Sequence, residues 1–235
     1  MFRIQVEHRS LFQNIHDDEN SRFVLFVLMI RRGFFITLEG PEGSGKSTQA
    51  QYLVQMLRRR GCRVIFLRDP GSTALGRALR RMLLHTRAQL SPLAEAMLFI
   101  GGRVQLVEER IRPALKAGCI VICDRFHDST VAYQGFGGGL DTKWLDAFGK
   151  QALHGVMPRL TVLLDLPVEH GFKRLRRSHD RMERKTLAFH RRVRNGYRRL
   201  AAHEPRRFIV VDAAQSALVI RRQIDRRLLP SLRRV

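Results

Sequence analysis

"FITLEGPEGSGKSTQ", Phe35 to Gln49, is the stretch that decides the fold. Its first part is an apolar run ending at Gly40 and reads as a buried strand. Gly40 to Ser47 then fits the spacing G-x-x-x-x-G-K-[ST]. The continuation "STQAQYLVQMLRRRG" places apolar residues at 53, 54 and 57 and stops at Gly61, as an amphipathic helix does. Strand, glycine-rich loop and helix follow one another in the order that this loop pattern requires. Gly43 and Gly45 let backbone N–H groups converge on phosphate oxygens, and the helix start adds its dipole. Gly40, Pro41, Glu42, Gly43, Ser44, Gly45, Lys46, Ser47 and Thr48 are therefore the expected ATP-binding residues. Lys46 suits the β- and γ-phosphates, and the Ser47 hydroxyl suits Mg²⁺. Glu42 has two readings. A carboxylate among phosphates is repulsive unless it faces a metal or an acceptor hydroxyl, so Glu42 either positions one of those or faces solvent.

Outward from the loop, the chain alternates between two periods. "CRVIFL" (62–67), "CIVICD" (119–124), "LTVLLDL" (160–166) and "RFIVVDA" (207–213) are short runs rich in Val and Ile. Longer amphipathic segments lie between them. One of these, "SPLAEAMLFIGGRVQLVEERIRPALKAG", opens with Ser91 as N-cap and Pro92 at the first helical position, and closes at Gly118. Five strands joined by helical crossovers predict an α/β fold, a five-stranded parallel sheet with helices on both faces.

The composition agrees with this. Of the 235 residues 44% are hydrophobic, enough for a sizeable core in one domain. The formal net charge is +22, with arginine supplying almost all of the excess. An anionic partner would explain it. So would a background preference for arginine on solvated helices, the reading favoured for most of the runs. The basic runs are not interleaved with aromatic residues, so no specific nucleic-acid partner is expected. Cys62, Cys119 and Cys123 lack metal-ligand spacing and read as buried filler in a reducing, cytoplasmic setting. "FVLFVLMI", Phe23 to Ile30, has eight apolar residues, well short of the roughly 20 needed to span a membrane. Residues 1–28 read as an upstream extension, with Met29 as the natural start and a single domain over 29–235.

"CDRFHDSTVAYQG", Cys123 to Gly135, begins where the third strand ends, and ligands of open α/β sheets bind at that edge. Asp124 is expected beside the phosphate loop, helping to hold Mg²⁺ through water, and the Arg125 fork suits a phosphate. Together with "LRDPGSTALGRALR" (67–80), "LSPLAEAMLFIGGRVQLVEERIRPAL" (90–115) and "HDRMERKTLAFHRRVRNGYRRLA" (179–201), these motifs resemble the thymidylate kinase family. The resemblance runs from about Met29 to the C-terminus. It implies a P-loop nucleoside monophosphate kinase-like three-layer α/β/α fold with a short helical lid over about 172–184. The implied reaction is ATP-driven phosphorylation of dTMP with Mg²⁺, by a homodimer built through helices around 92–116 and 128–155. It further implies that Phe99 stacks on thymine and Arg103 meets the base edge. Arg125 holds the acceptor phosphate, Ser129 and Thr130 flank the base, and Tyr133 crowds the sugar 2′ position with Gln134 beside it. Arg68, Asp69 and Pro70 cover the sugar and phosphate.

The phosphate loop contains no arginine, whereas "FKRLRRSHDRMER" is rich in it, which resembles the family members that carry their catalytic arginine in a lid. Arg174, Arg177 and Arg181 are the candidates, joined by Lys46, Arg125 and Glu42 in the catalytic set. Ser47, Asp124 and Glu42 form the metal set. The chain also departs from the family pattern, in a lid about two residues short and at Gly102, Leu106 and Gly138, where Asp, His and Arg are common. Rival readings are a P-loop kinase for another small acceptor and a nucleic-acid-binding protein on a P-loop scaffold.

Overall fold

The computed structural model describes residues 33–86, 88–175 and 180–232; the expectations for residues 1–28 and for Arg177 fall outside them. All five expected strands form: β1 (Phe34–Glu39), β2 (Val64–Arg68), β3 (Ile120–Asp124), β4 (Leu160–Asp165) and β5 (Phe208–Asp212). They make one sheet in the order β2-β3-β1-β4-β5. Every neighbouring pair is parallel, for example Ile36 opposite both Ile122 and Leu160. Parallel neighbours need crossovers, and the intervening helices cover both faces. On one face Phe34, Ile36, Leu38, Ile122 and Val162 pack on Leu53 and Leu57 of helix α1 (Lys46–Arg59) and on Ile224 and Leu228 of the C-terminal helix. On the other, Phe35, Val121 and Cys123 pack on Leu106, Val107 and Ile111. The strands are apolar at nearly every position because both faces are buried. The three described cysteines lie among these apolar side chains, unpaired.

Local signals act where expected. Helix α1 gives way at Arg60 and Gly61, the latter with φ 76°. Helix α2 (Ala74–His85) is capped by Thr73, whose Oγ1 accepts the Gly76 N–H at 2.9 Å. Helix α3 (Pro92–Leu106) begins with the Ser91 hydroxyl accepting the Ala94 N–H at 3.2 Å. The segment expected as one helix to Gly118 widens into a π-type turn over Val107–Ile111 before continuing through Arg112–Lys116. Pro113 accounts for this: it has no N–H to offer the Glu109 carbonyl, and its ring pushes that carbonyl away.

The remaining helices are α4 (His127–Thr130, extended by wide turns over Val131–Gly137), α5 (Thr142–Ala152), α6 (Val168–Arg174), α7 (Leu187–His203) and α8 (Ala217–Leu232). Helix α6 carries the chain toward the arginine-rich segment and lies directly against the phosphate loop. A Cβ on Gly171 would stand 2.2 Å from the Glu42 carbonyl oxygen, and one on Gly43 would stand 2.2 Å from the Gly171 carbonyl oxygen. Both atoms met are backbone and have no rotamer by which to withdraw. Gly171→Ala is therefore expected to cost about 1–3 kcal/mol through overpacking. It should also weaken nucleotide binding by displacing the loop. Thermal unfolding and ATP titration of the variant check both.

Candidate active site

Strand β1 lies between β3 and β4, so the connections leaving its carboxyl end diverge and open a crevice there. The phosphate loop enters that crevice with Gly40, Gly43 and Gly45 at φ 143°, 68° and 87°, a backbone path that side chains resist. Lys46 folds back over the loop. Its Nζ donates to the carbonyls of Gly40 (3.0 Å) and Pro41 (2.8 Å) and to Ser44 Oγ (3.3 Å). Burial, then the charge of Arg125, lower its pKa to about 8 against the pull of Glu42, Asp124 and Glu39. Bound phosphate would raise it again. The Ser47 hydroxyl donates to Asp124 Oδ2 at 3.1 Å, and Arg68 reaches the same carboxylate at 3.5 Å. One hydroxyl beside one carboxylate fits Mg²⁺, which keeps several waters and shares ligation with phosphates. Among the described residues no group of three or more His, Cys, Asp or Glu could hold a metal by itself.

Two cavities meet at this crevice. The first encloses about 740 Å³ and is lined by Glu42 to Thr48, Arg68, Asp69, Arg80, Asp124, Arg125, Leu175 and Glu183. The second, about 610 Å³, is lined by Asp69, Pro70, Phe99, Arg103, Arg125, Ser129, Thr130, Tyr133 and Gln134, with Glu42, Arg80, Leu84, Asp180, Met182 and Glu183. Both open in part to solvent, which these volumes include. Glu42 and Arg125 stand at the junction, joined by an ion pair of 2.8 Å. Tyr133 donates its hydroxyl to the same Glu42 oxygen at 2.6 Å, and its ring lies under the Arg125 guanidinium, 5.0 Å from the centroid. Arg125 has φ 71°, in the left-handed region, a conformation that costs a non-glycine residue about 1–2 kcal/mol. The turn from β3 into α4 thus bends sharply and aims this side chain back over the loop.

The second cavity has a rigid wall. Arg103, only 1% exposed, donates from Nε to Asp69 and from Nη1 to Thr130 Oγ1 at 2.8 Å. The Asp69–Pro70 peptide is cis. Glu95 receives Gln134 Nε2 at 2.8 Å and the Arg181 guanidinium. Most of the expected acceptor-site residues therefore line one cavity; Arg68 is the exception and stands on the phosphate-loop side. Gly40 and Pro41 contribute carbonyls under Lys46 instead of cavity surface. The two lid-arginine candidates among the described residues, Arg174 and Arg181, do not converge on the phosphate loop. Arg174 donates to the Ala213 carbonyl at 3.0 Å, and Arg181 donates to the Leu83 carbonyl at 2.7 Å and to Glu95.

Some site residues lie in the motif stretches without an expected role. Arg80, the last residue of "LRDPGSTALGRALR", lines both cavities and donates to the Pro70 carbonyl at 3.1 Å. The helical spacing of Leu79 and Leu83, both buried, with Arg80 beside them would have marked it. The departures from the family pattern are packed into the fold. A side chain at Gly102 would meet Leu79 at 3.0 Å, one at Gly138 would meet the Gln134 carbonyl oxygen at 2.7 Å, and Leu106 is buried in the core.

Burial alone would raise the Glu42 carboxyl, but Arg125, then Lys46 and the Tyr133 hydroxyl, hold it down at about 2. The folded pKa lies below the unfolded one, so this ionised carboxylate stabilises the fold above about pH 4.5, and that contribution is lost as pH falls toward 2. The stability difference between wild type and Glu42→Gln should accordingly shrink across that window. Urea unfolding of both proteins at a series of acid pH values measures it.

Residues 38–224 match the family model for thymidylate kinase. Thymidylate kinase of Desulfovibrio desulfuricans is 49% identical over 191 residues, covering 77% of this chain and 88% of that protein. Thymidylate kinase of Halothermothrix orenii is 46% identical over 198 residues, covering 82% and 95%. The crystal structure of thymidylate kinase from Ehrlichia chaffeensis superposes with a TM-score of 0.68 at 32% identity, covering 84% of this chain and 99% of that one. Matches of this identity and coverage establish descent as well as fold: the chain belongs to the thymidylate kinase family, the dTMP phosphotransferases.

Proposed function

We propose a division of labour for the transfer of the γ-phosphoryl group of ATP to dTMP in which the two cavities hold the two nucleotides and the Glu42–Arg125 pair stands between them. That pair, lining both cavities at once, is the observation that carries the reading. ATP occupies the phosphate-loop cavity. Lys46 leaves the loop carbonyls for the β- and γ-phosphates, and Ser47 and Asp124 hold Mg²⁺, which supplies charge neutralisation on the phosphate oxygens. dTMP occupies the other cavity. Phe99 offers its half-buried ring to the base, and Arg103, held rigid by Asp69 and Thr130, offers a guanidinium edge. Tyr133 leaves no room at the sugar 2′ position. Arg125 binds the acceptor phosphate and Glu42 the sugar side.

The acceptor phosphate is already ionised at neutral pH, so transfer needs no strong general base. The protein contributes positioning and neutralisation of the charge that develops on the transferring group. An arginine of the 172–184 segment closes over that group. Arg181 is committed to Glu95 and Leu83, and Arg174 to Ala213, so closure by either requires it to exchange these partners for phosphate. The three buried, unpaired cysteines support placing the enzyme in a reducing, cytoplasmic compartment.

The same reading includes a homodimer. Helices α3 and α5 pack together through Ala96, Ile100 and Leu145. Outside this contact they present Leu93, Trp144 and Phe148 at 47%, 45% and 36% exposure, the last two stacked at 5.4 Å. An aromatic pair left in water beside an exposed leucine suits the centre of an interface.

Three measurements test the proposal. Lys46→Ala should lower turnover by about 10²–10³-fold, the typical loss of one phosphate-directed donor, while circular dichroism stays unchanged. An active Lys46→Ala enzyme would overturn the reading. In an ADP-release assay, dTMP should be clearly preferred to dUMP, AMP, CMP and shikimate; equal use of these acceptors would remove the roles given to Phe99 and Tyr133. Sedimentation should show a dimer for the wild type and a monomer for Trp144→Ser/Phe148→Ser.

A further inference from the structure

Glu39 is the last residue of β1, immediately before the phosphate loop, and its side chain is fully buried. It precedes the G-x-x-x-x-G-K-[ST] spacing, and the reaction as described above makes no use of it. Its carboxylate is nevertheless surrounded by donors. Oε1 accepts the Phe126 backbone N–H at 2.7 Å. Oε2 accepts the Ser129 hydroxyl at 2.6 Å and the Tyr197 hydroxyl at 2.9 Å. Those two hydroxyls lie 2.8 Å apart, and Arg125 Nη1 approaches both, Tyr197 at 3.1 Å and Ser129 at 3.3 Å. The same nitrogen donates to the Gly40 carbonyl at 3.2 Å.

The proton directions follow from counting. A guanidinium only donates, so it must meet lone pairs at both hydroxyls. Each hydroxyl has one proton to give, and Glu39 Oε2 is the acceptor that both reach. With Glu39 ionised, the chain of donation therefore runs from Arg125 through Ser129 and Tyr197 to Glu39. Glu39 also holds the backbone directly after Arg125, whose φ of 71° needs support. One carboxylate thus grips the turn that carries the guanidinium and polarises the hydroxyls that fix its Nη1 edge. Glu42 and Tyr133 hold the Nη2 edge from the other side.

We propose that Glu39, acting through Ser129 and Tyr197, is the positioning residue that sets Arg125 for the acceptor phosphate. This rests on the role given to Arg125 above. Tyr197, in helix α7, then links the helix that follows the lid segment to the acceptor site. A glutamine at position 39 cannot substitute. If its oxygen takes the Phe126 N–H, its amide can only donate toward the hydroxyls, whose protons lose the acceptor they share, and if it flips, the Phe126 N–H is left facing another N–H.

The test compares Glu39→Gln, Tyr197→Phe and Arg125→Ala, with KM measured separately for dTMP and for ATP. For Glu39→Gln, KM for dTMP should rise about tenfold, the loss of one well-placed charge-assisted hydrogen bond, with KM for ATP within about twofold of wild type. Tyr197→Phe should raise KM for dTMP by about threefold to tenfold, without loss of ATP affinity. In an Arg125→Ala background, neither substitution should raise it further. The proposal is overturned if Arg125→Ala raises KM for dTMP while Glu39→Gln and Tyr197→Phe leave it within about twofold, or if Glu39→Gln raises both KM values alike. If Arg125→Ala itself leaves KM for dTMP unchanged, the role of Arg125 fails first and the proposal with it. Where Glu39→Gln does not yield folded protein, Tyr197→Phe, which keeps the buried ring, decides between the same outcomes.

Discussion

Strand β1 is hydrogen-bonded on both sides, to β3 and to β4, and everything that faces phosphate in this chain is placed relative to its carboxyl end. Buried between two parallel neighbours, the strand has no freedom to shift. The loop that follows inherits a fixed origin, and β3, in register beside it, delivers Asp124 and Arg125 to the same edge. Residues 85 positions apart in sequence, Gly40 and Arg125, are thereby brought to 3.2 Å. The chemistry of the crevice is a consequence of sheet register before it is a consequence of any motif.

That crevice is crowded with charge, and the charges are paired. Arg125 sits between Glu42 and the hydroxyls of Ser129 and Tyr197; Lys46 is parked on carbonyls; Asp124 holds Ser47. Such arrangements cost desolvation and are kept where specific geometry is needed, because an uncompensated buried charge would be worse. Most of the site's donors and acceptors are paired within the protein, Asp69 Oδ1 being an exception, so substrate binding largely exchanges partners. The surroundings pull two nearby carboxyls in opposite directions. Glu39, with burial and then Asp128 against it, is raised to about 7, while Glu42, three residues on, is held near 2. Two carboxylates on one short segment are driven apart by what surrounds them.

The arginine excess divides on the same lines. Arg58 and Arg59 are exposed at the end of α1, as a background preference for arginine would place them. Arg103, Arg194 and Arg207 instead enter ion pairs with Asp69, Asp165 and Asp128, and Arg80 enters the site. Runs of one residue type read alike in sequence, and only burial separates those that are solvated from those that hold the fold.

From the sequence alone, the five strands, their parallel pairing, the phosphate loop and ten of the fifteen residues lining the second cavity could be named. These depend on local periodicity, on glycines at positions that need unusual backbone angles, and on a spacing pattern that survives in one dimension. Glu39, Tyr197, Glu95 and Arg80 lie in the same stretches, but nothing in one dimension marks their work. Glu95 meets Gln134 across 39 positions and Tyr197 meets Glu39 across 158. Such distances have no period to betray them. The lid arginines show the same limit from the other side. An arginine-rich segment is plain in the sequence, but whether each guanidinium faces phosphate or a structural partner is decided by which carboxylates and carbonyls the fold brings within reach. Arg181 found Glu95 and Leu83 because α2 and α3 pack beside it, a fact that belongs to the tertiary structure alone.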